Sequence, residues 1–573
     1  MKFKNSYLFL SFALALTACS SSQKLATTKD SSIPTPAALT FAKAAVVTAH
    51  PEASAVGVTI LKERGNAIDA SIAIQYALAV VYPNAGNIGG GGFMVVRTNK
   101  GEINALDFRE KAPSQAKEDM YWDASGTPIT DLSLYGHLAS GIPGTVAGTA
   151  AAHAKYGRLS WKKILAPAIA LAEKGFPITA MQAQEMNALK ADFKKYNKQA
   201  VAFVKEGAWK AGDILVQKEL ANTLRAVAEQ GRDGFYKGKV ADHIVQEMKA
   251  GKGIITHADL ANYEAVWRKP LTGSYRGHEL IAMPPPSSGG AALIGLLKSV
   301  EQYPLSKWGF QSDSTVRVMV EAERRVYANR ASYMGDPDFY KVPLQELMDS
   351  TFNARNMETM SFTKATPSSA VKANSIPGYQ SEETTHLSVV DEEGNAVSVT
   401  TTLNGSYGSL VVVTGAGFLL NNEMDDFSVK AGVPNMYGLV GGKANAIAPN
   451  KRMLSSMTPT IITKDGQLFM VVGTPGGSTI MTSVFQTILN VIDFKYDAQQ
   501  AVTASRFHHQ WLPDIVSVEK DAIAPALRAK LEAAGYSIKP RGPIGRVETI
   551  IALPNGRVQT GADPRGDDVA RGY

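Results

Sequence analysis

Cysteine is almost absent: Cys19 is the single one among 573 residues. An intramolecular disulfide is therefore excluded, as is thiol catalysis in the body of the protein. Charge is sparse, at 19% Asp, Glu, Lys and Arg, and the formal net charge of +7 is not gathered into a long basic run. The densest, Lys194-Lys195-Tyr196-Asn197-Lys198, reads as a solvated helix face, so no nucleic-acid partner is expected. Beyond the N-terminal region no apolar stretch is long enough to span a bilayer. The glycine runs are not followed by Gly-Lys-Ser or Gly-Lys-Thr, which argues against a phosphate-binding loop. His508 and His509 have no cysteine or carboxylate partners at ligand spacing and read as structural; no metal is expected.

What is present begins with Lys2 and Lys4, an apolar run from Tyr7 to Leu16, and then Leu16-Thr17-Ala18-Cys19-Ser20-Ser21-Ser22. Residues 1–18 read as an export signal. The end of that run resembles a bacterial lipobox, with Cys19 as the acylated first residue and Ser20 as the follow-on residue of an outer-membrane lipoprotein. Ordinary cleavage after a small residue, giving a soluble periplasmic protein, is the other reading. Residues 19–37, rich in Ser, Thr, Lys and Pro, read as a tether between membrane and fold. The remainder, in a chain that is 45% hydrophobic, is long enough for one large core or a few smaller ones.

From there to about residue 350 the pattern is mostly helical. A helix over Ser54–Arg64 ends at Gly65, Asn66 caps the apolar run Ala67–Val81, and a pattern beginning at Ser160 closes at Gly175 with Pro177 beyond. Glycine-rich turns, notably Asn84 to Gly92, lead into a strand at Phe93–Arg97, so helices flanking a sheet are expected. Residues 361–383, SFTKATPSSAVKANSIPGYQSEE, read as a loop. After Thr384 the pattern turns to strands, THLSVV, AVSVTTTL, VVVTGAGFLL, TPTIIT and LFMVVGT, with helical periodicity near Ser483–Ile492.

Thr384 stands where loop becomes strand. A threonine hydroxyl is a poor nucleophile unless a base lies beside it, and a free α-amino group, with a pKa of roughly 8, is such a base. Cutting the bond between Glu383 and Thr384 would create nucleophile and base on one residue. If Asp391–Asn395 form the loop of a hairpin, Val390 faces Ala396, and equal steps outward put Thr384 opposite Thr402, about 5 Å away at Cβ. Period two then places Thr384, His386, Ser388, Ser398, Thr400 and Thr402 on one polar face, with Leu387, Val389, Val397, Val399 and Leu403 on the other. A slip of one residue would bring Leu403 opposite Thr384 instead.

The segments TTHLSVVDEEGNAVSVTTTLN, LLNNEMDDFSVKAGVPNMYGLVGG, PNKRMLSSMTPTII, GTPGGS and SRFHHQWLPD, with ALDFREKAP, PNAGNIGGGGFMV and MPPPSSGG upstream, resemble the γ-glutamyltranspeptidase family. The likeness runs from about residue 38 to Tyr573. It implies an N-terminal-nucleophile hydrolase of mixed α/β (α+β) class with a four-layer αββα core. The precursor would cut itself into a large subunit, 38–383, and a small subunit, 384–573. The Thr384 hydroxyl would attack the Glu383 carbonyl, and water would hydrolyse the resulting ester. In the mature protein the same hydroxyl would open the γ-amide of a γ-glutamyl compound, glutathione being the expected one, and pass the acyl group to water or an amino-acid amine without a cofactor.

By the same resemblance, Gly476 and Gly477 supply oxyanion-binding N–H groups and Thr402 hydrogen-bonds the nucleophile. Arg109 clamps the substrate α-carboxylate with Ser455 and Ser456, while Asn404, Glu423 and Asp426 hold its α-ammonium. Ala431–Gly442 is expected to be a lid, with Tyr437 closing over the glutamyl group. Taken singly these residues have plainer readings: a tight turn for the glycines, a surface ion pair for Arg109, a turn for the serines and an ordinary loop for the lid. Two rivals remain at this point. One is a related acylase or polyglutamate transferase; the other is a non-catalytic surface lipoprotein that binds such compounds.

Overall fold

The computed structural model describes residues 37–371 and 384–573. Cys19, the expected signal and most of the expected tether lie outside the described residues, as do residues 372–383 of the expected loop, Glu383 among them. Two seven-stranded antiparallel sheets form the centre. The first runs in the order Val569–Gly572, Ala45–Thr48, Thr385–Val390, Ala396–Thr402, Gly91–Arg97, Ile103–Phe108, Val266–Arg268. The second runs Leu39–Phe41, Val558–Ala562, Glu548–Ala552, Gln467–Gly473, Thr460–Lys464, His278–Ala282, Leu271–Tyr275.

Strand alternation sorts the side chains into layers. Val47, Phe93, Val95 and Val390 of the first sheet meet Ile281, Ile461, Val471 and Ile550 of the second in one buried cluster. The opposite face of the first sheet, with Leu387, Val389, Val397 and Val399, packs in a second cluster with helices Pro51–Lys62, Ala67–Val81 and Trp161–Lys174. Ile462, Met470 and Val472 on the outer face of the second sheet join helices Gly289–Val300, Asp313–Tyr333 and Ile480–Ile492. The architecture is the four-layer αββα arrangement.

The region before residue 350 is mostly helical, as the pattern predicts, but it also supplies seven of the fourteen strands. These strands are short and several are buried on both faces, so their sequences, such as Ala45-Val46-Val47-Thr48, show no alternation that separates them from helix. Both sheets contain strands from before residue 371 and from after residue 384 as hydrogen-bonded neighbours. Two subunits divided at Thr384 would share fourteen strands and could not part without breaking both sheets.

Local signals explain other boundaries. The first helix begins at Pro51 rather than Ser54, since proline suits the first helical turn and His50 caps it by accepting from Glu52 N–H. Asn66 forms a full capping box with Asp69, as its position before the apolar run suggested. The last of the long helices starts at Ile480, three residues ahead of Ser483. Residues 411–420, VVVTGAGFLL, are not a strand: only Val412 and Leu419 bridge, and Gly415 and Gly417 take φ of 77° and 74°. The segment is apolar because it is buried in the helical layer, and its glycines turn it back on itself.

Candidate active site

The hairpin has the register counted from its loop. Val390 pairs with Ala396, and the ladder continues in equal steps to Thr385 opposite Thr401. Thr384 and Thr402 follow one residue further out, and both line one cleft. The polar face of the hairpin turns toward the second sheet, where His386 bridges Thr400 Oγ1 at 2.9 Å and Ser388 Oγ at 3.1 Å. Ser388 donates to the Glu548 carbonyl, and Ser398 to that of Val472. Burial pushes the His386 imidazole down to about 3, so it is neutral and structural. The glycine-rich turn at Gly89–Gly92 lies along the partner strand. A Cβ on Gly90 would sit 2.1 Å from the Thr402 carbonyl oxygen, which explains why that run is glycine.

Thr384 is 4% exposed and lines a narrow cleft with Arg109, Thr402, Asn404, Glu423, Asp426, Tyr437, Ser455, Ser456 and Gly477. Gly476 lies just outside it, on the wall of a second cavity that also reaches Thr384, alongside Tyr82, Glu185, Gly545 and Arg546. Gly476 and Gly477, at φ of 136° and 51°, open a 3-10 turn that runs directly into the helix Ile480–Ile492. Their amides therefore belong to the unsatisfied end of a helix, where N–H groups and the helix dipole favour negative charge. Thr402 Oγ1 accepts from Asn404 N–H at 2.7 Å.

Arg109, at the end of the strand Ile103–Phe108, is fully buried. Its Nη1 lies 2.5 Å from Glu423 and 3.5 Å from Glu110, and its Nη2 pairs with Asp426. The groups expected to hold opposite ends of a zwitterion thus pair with one another, as buried charges must. Burial pushes the Glu110 carboxyl up to about 8, holds Glu423 well above the ordinary carboxylate range and raises Asp426, with Arg109 opposing all three.

The segment over residues 431–442 is latched across this cluster. Asn435 Nδ2 donates to Asp426 at 2.9 Å, Met436 N–H to Asp425 at 2.9 Å, and the Tyr437 hydroxyl to the Asn404 carbonyl. A Cβ on Gly477 would lie 2.4 Å from the nearest atom of the Tyr437 ring, so glycine is what lets Tyr437 pack there.

With this geometry in place, the likeness to known proteins is specific. The family model described as Gamma-glutamyltranspeptidase matches residues 53–573. The chain belongs to the γ-glutamyltranspeptidase family. The glutathione hydrolase proenzyme of Escherichia coli (strain K12) is 47% identical over 531 residues, 92% of this chain and 91% of its own length. The crystal structure of Helicobacter pylori gamma-glutamyltranspeptidase superposes with a TM-score of 0.56 at 46% identity, covering 56% of this chain and 93% of that one. A cephalosporin acylase from Bacillus halodurans gives a TM-score of 0.84 at 27% identity, covering 95% of this chain and 98% of its own.

In this γ-glutamyltranspeptidase, all the expected site residues among those described meet at Thr384, although they come from segments hundreds of residues apart. His508 and His509 stand apart from them. His508 bonds Thr482 and Gln510, His509 bonds Asp514 and accepts from Trp511 N–H, and burial pushes both down to about 4. Reading from sequence missed Glu110, Asn435 and Arg330. Glu110 adjoins Arg109 in ALDFREKAP and Asn435 lies within the lid segment, so both stood inside recognised motifs. Arg330 lies outside every one of them.

Proposed function

We propose that this self-processed γ-glutamyltranspeptidase opens the γ-amide of glutathione and related compounds through an ester on Thr384, and passes the γ-glutamyl group to water or to an amine. The observation that carries the reading is the meeting, in one buried cleft, of Thr384 with a guanidinium shared by Glu423 and Asp426. A γ-glutamyl group presents one carboxylate and one ammonium. Its carboxylate takes Arg109, Ser455 and Ser456, and its ammonium takes Asp426, Glu423 and Asn404, so an internal ion pair is exchanged for two external ones and the zwitterion adds no net buried charge. An acyl group with only one charged end leaves one partner unpaired, which favours γ-glutamyl donors over the side chains that acylases accept.

The reaction proceeds by transfer of the Thr384 hydroxyl proton to its own α-amine as the oxygen attacks the γ-carbonyl. The oxyanion lies against the N–H groups of Gly476 and Gly477, each worth roughly 3 kcal/mol when preorganised. Collapse forms the ester, and the proton leaves with the amine. Water or an acceptor amine then attacks the ester along the reverse course. Cleavage between Glu383 and Thr384 precedes this and uses the same hydroxyl.

N-terminal sequencing of the smaller fragment, together with release of the anilide from γ-glutamyl-p-nitroanilide, tests both steps. A fragment beginning at Thr384 and anilide release are expected; an uncut, inactive chain would refute the reading. Export and acylation at Cys19 belong to the same proposal. Labelling by palmitate that disappears in Cys19→Ala supports the anchor, and a labelled Cys19→Ala chain overturns it.

A further inference from the structure

Four arginines of the helix Asp313–Tyr333 are buried, and three of them meet carboxylates: Arg317 with Asp313, Arg324 with Asp514, Arg325 with Glu321. Arg330 is 6% exposed and takes part in no ion pair among the described residues. Its Nε donates to Ser288 Oγ at 2.9 Å and its Nη2 to Ser456 Oγ at 3.1 Å. Burial lowers its pKa from the ordinary arginine value, with Tyr327 and Asp426 opposing. A guanidinium held in low dielectric without a counter-ion is unfavourable unless an anion arrives to pair with it. Asp426 is the acid whose charge reaches it, and Asp426 is already committed to Arg109 and Asn435.

The two hydroxyls on Arg330 decide what it does. A serine hydroxyl has one proton and can accept besides donating. Ser288 accepts from Arg330 and donates to the Ser455 carbonyl at 2.7 Å, while Ser288 N–H bonds the same carbonyl and Ser455 N–H bonds the Pro286 carbonyl. That contact fixes the loop carrying Ser455 and Ser456. Ser456 accepts from Arg330, so its own proton is left to donate into the cleft that it lines.

We propose that Arg330 is a second cation of the carboxylate end of the cleft, a positioning residue that turns the Ser456 hydroxyl toward the substrate α-carboxylate and supplies that carboxylate with countercharge. Arg109 alone is divided among Glu110, Glu423 and Asp426 and cannot match it. This inference rests on the γ-glutamyl reading of the cleft.

The experiment compares two p-nitroanilide donors, γ-glutamyl and 4-aminobutyryl, the second lacking only the α-carboxylate, in the wild type, Arg330→Gln and Arg330→Lys. A charge-assisted hydrogen bond lost at this end should raise KM for the γ-glutamyl donor by roughly tenfold or more in Arg330→Gln. The kcat should change far less, and kcat/KM for the 4-aminobutyryl donor should hardly move. Arg330→Lys, which keeps the charge, should fall between. Equal losses on both donors, an unchanged preference for the γ-glutamyl donor, or failure of both variants to fold and process would make Arg330 merely structural and overturn the inference. A wild type that does not prefer the γ-glutamyl donor would instead refute the reading of the cleft itself.

Discussion

Thr384 and Thr402 line one cleft at the open end of a hairpin, each one residue beyond the paired Thr385 and Thr401. The Thr402 hydroxyl is held by Asn404 N–H, which fixes it at the wall of the cleft that Thr384 lines. Thr402→Val keeps the shape and removes the hydrogen bond. It should lower kcat on γ-glutamyl-p-nitroanilide by on the order of 10²-fold, the lower range for loss of a positioned proton-handling group. Thr402→Ser should recover most of that rate. An undiminished rate in Thr402→Val would show that the pairing has no part in the chemistry.

Arg109 should separate substrate binding from processing. Arg109→Lys replaces a fork with a point charge and should raise KM strongly while the chain still cuts itself, because the first cleavage has no α-carboxylate to clamp. Arg109→Met strands Glu423, Asp426 and Glu110 without their cation and should destabilise the protein by about 3–5 kcal/mol, the range for removing one partner from a buried ionic cluster. Chemical denaturation reads the second effect, and gel analysis of processed chain reads the first. Equal loss of processing and of substrate binding in Arg109→Lys would count against the clamp.

The hairpin was legible in the sequence because period two and a five-residue loop point to this register over a one-residue slip, and the Asp391 side chain closes that loop by accepting from Glu393 and Asn395 N–H. The cleft was legible only through motifs, since Arg109 and Asp426 lie 317 positions apart and nothing local joins them. What the motifs did not convey was that Arg109 and Asp426, assigned to opposite ends of a ligand, pair directly. Arg330 was invisible for a related reason. An arginine near the end of a charged helix reads as solvated until the fold places Ser288 and Ser456 against it. In the first half of the chain, strands buried on both faces lost the alternation that would have separated them from helix.

Gly477 and Tyr437 offer a test of lid closure. Gly477→Ala strains a backbone at φ 51° and puts a methyl group on the Tyr437 ring, so the lid must give way. The variant should show lower kcat/KM, and part of that loss should vanish in the Tyr437→Ala background, where the methyl group meets no ring. A coupling of about 0.5–3 kcal/mol between the two substitutions is expected for side chains in contact. Strict additivity would mean that Gly477→Ala acts through the oxyanion site alone.

Acid should destabilise the protein through its buried imidazoles. Burial pushes His386 down to about 3, and His508 and His509 down to about 4, whereas a histidine in the unfolded chain titrates near 6.5. Between those values the unfolded chain binds protons that the folded chain does not, so stability rises with pH across the window. The contribution of each neutral histidine is fully present above about pH 6.5 and is lost as pH falls toward its folded value, by about 1.4 kcal/mol per pH unit. Calorimetric Tm should therefore drop steeply from pH 6.5 to pH 4.5 and change little through these groups between pH 7 and pH 8. His508→Gln, whose amide can replace the ring in bonding Thr482, should flatten the acid limb by the share of one proton. An acid limb of undiminished slope in that variant would mean that His508 is already protonated in the fold, with the Gln510 oxygen accepting a proton from a charged ring.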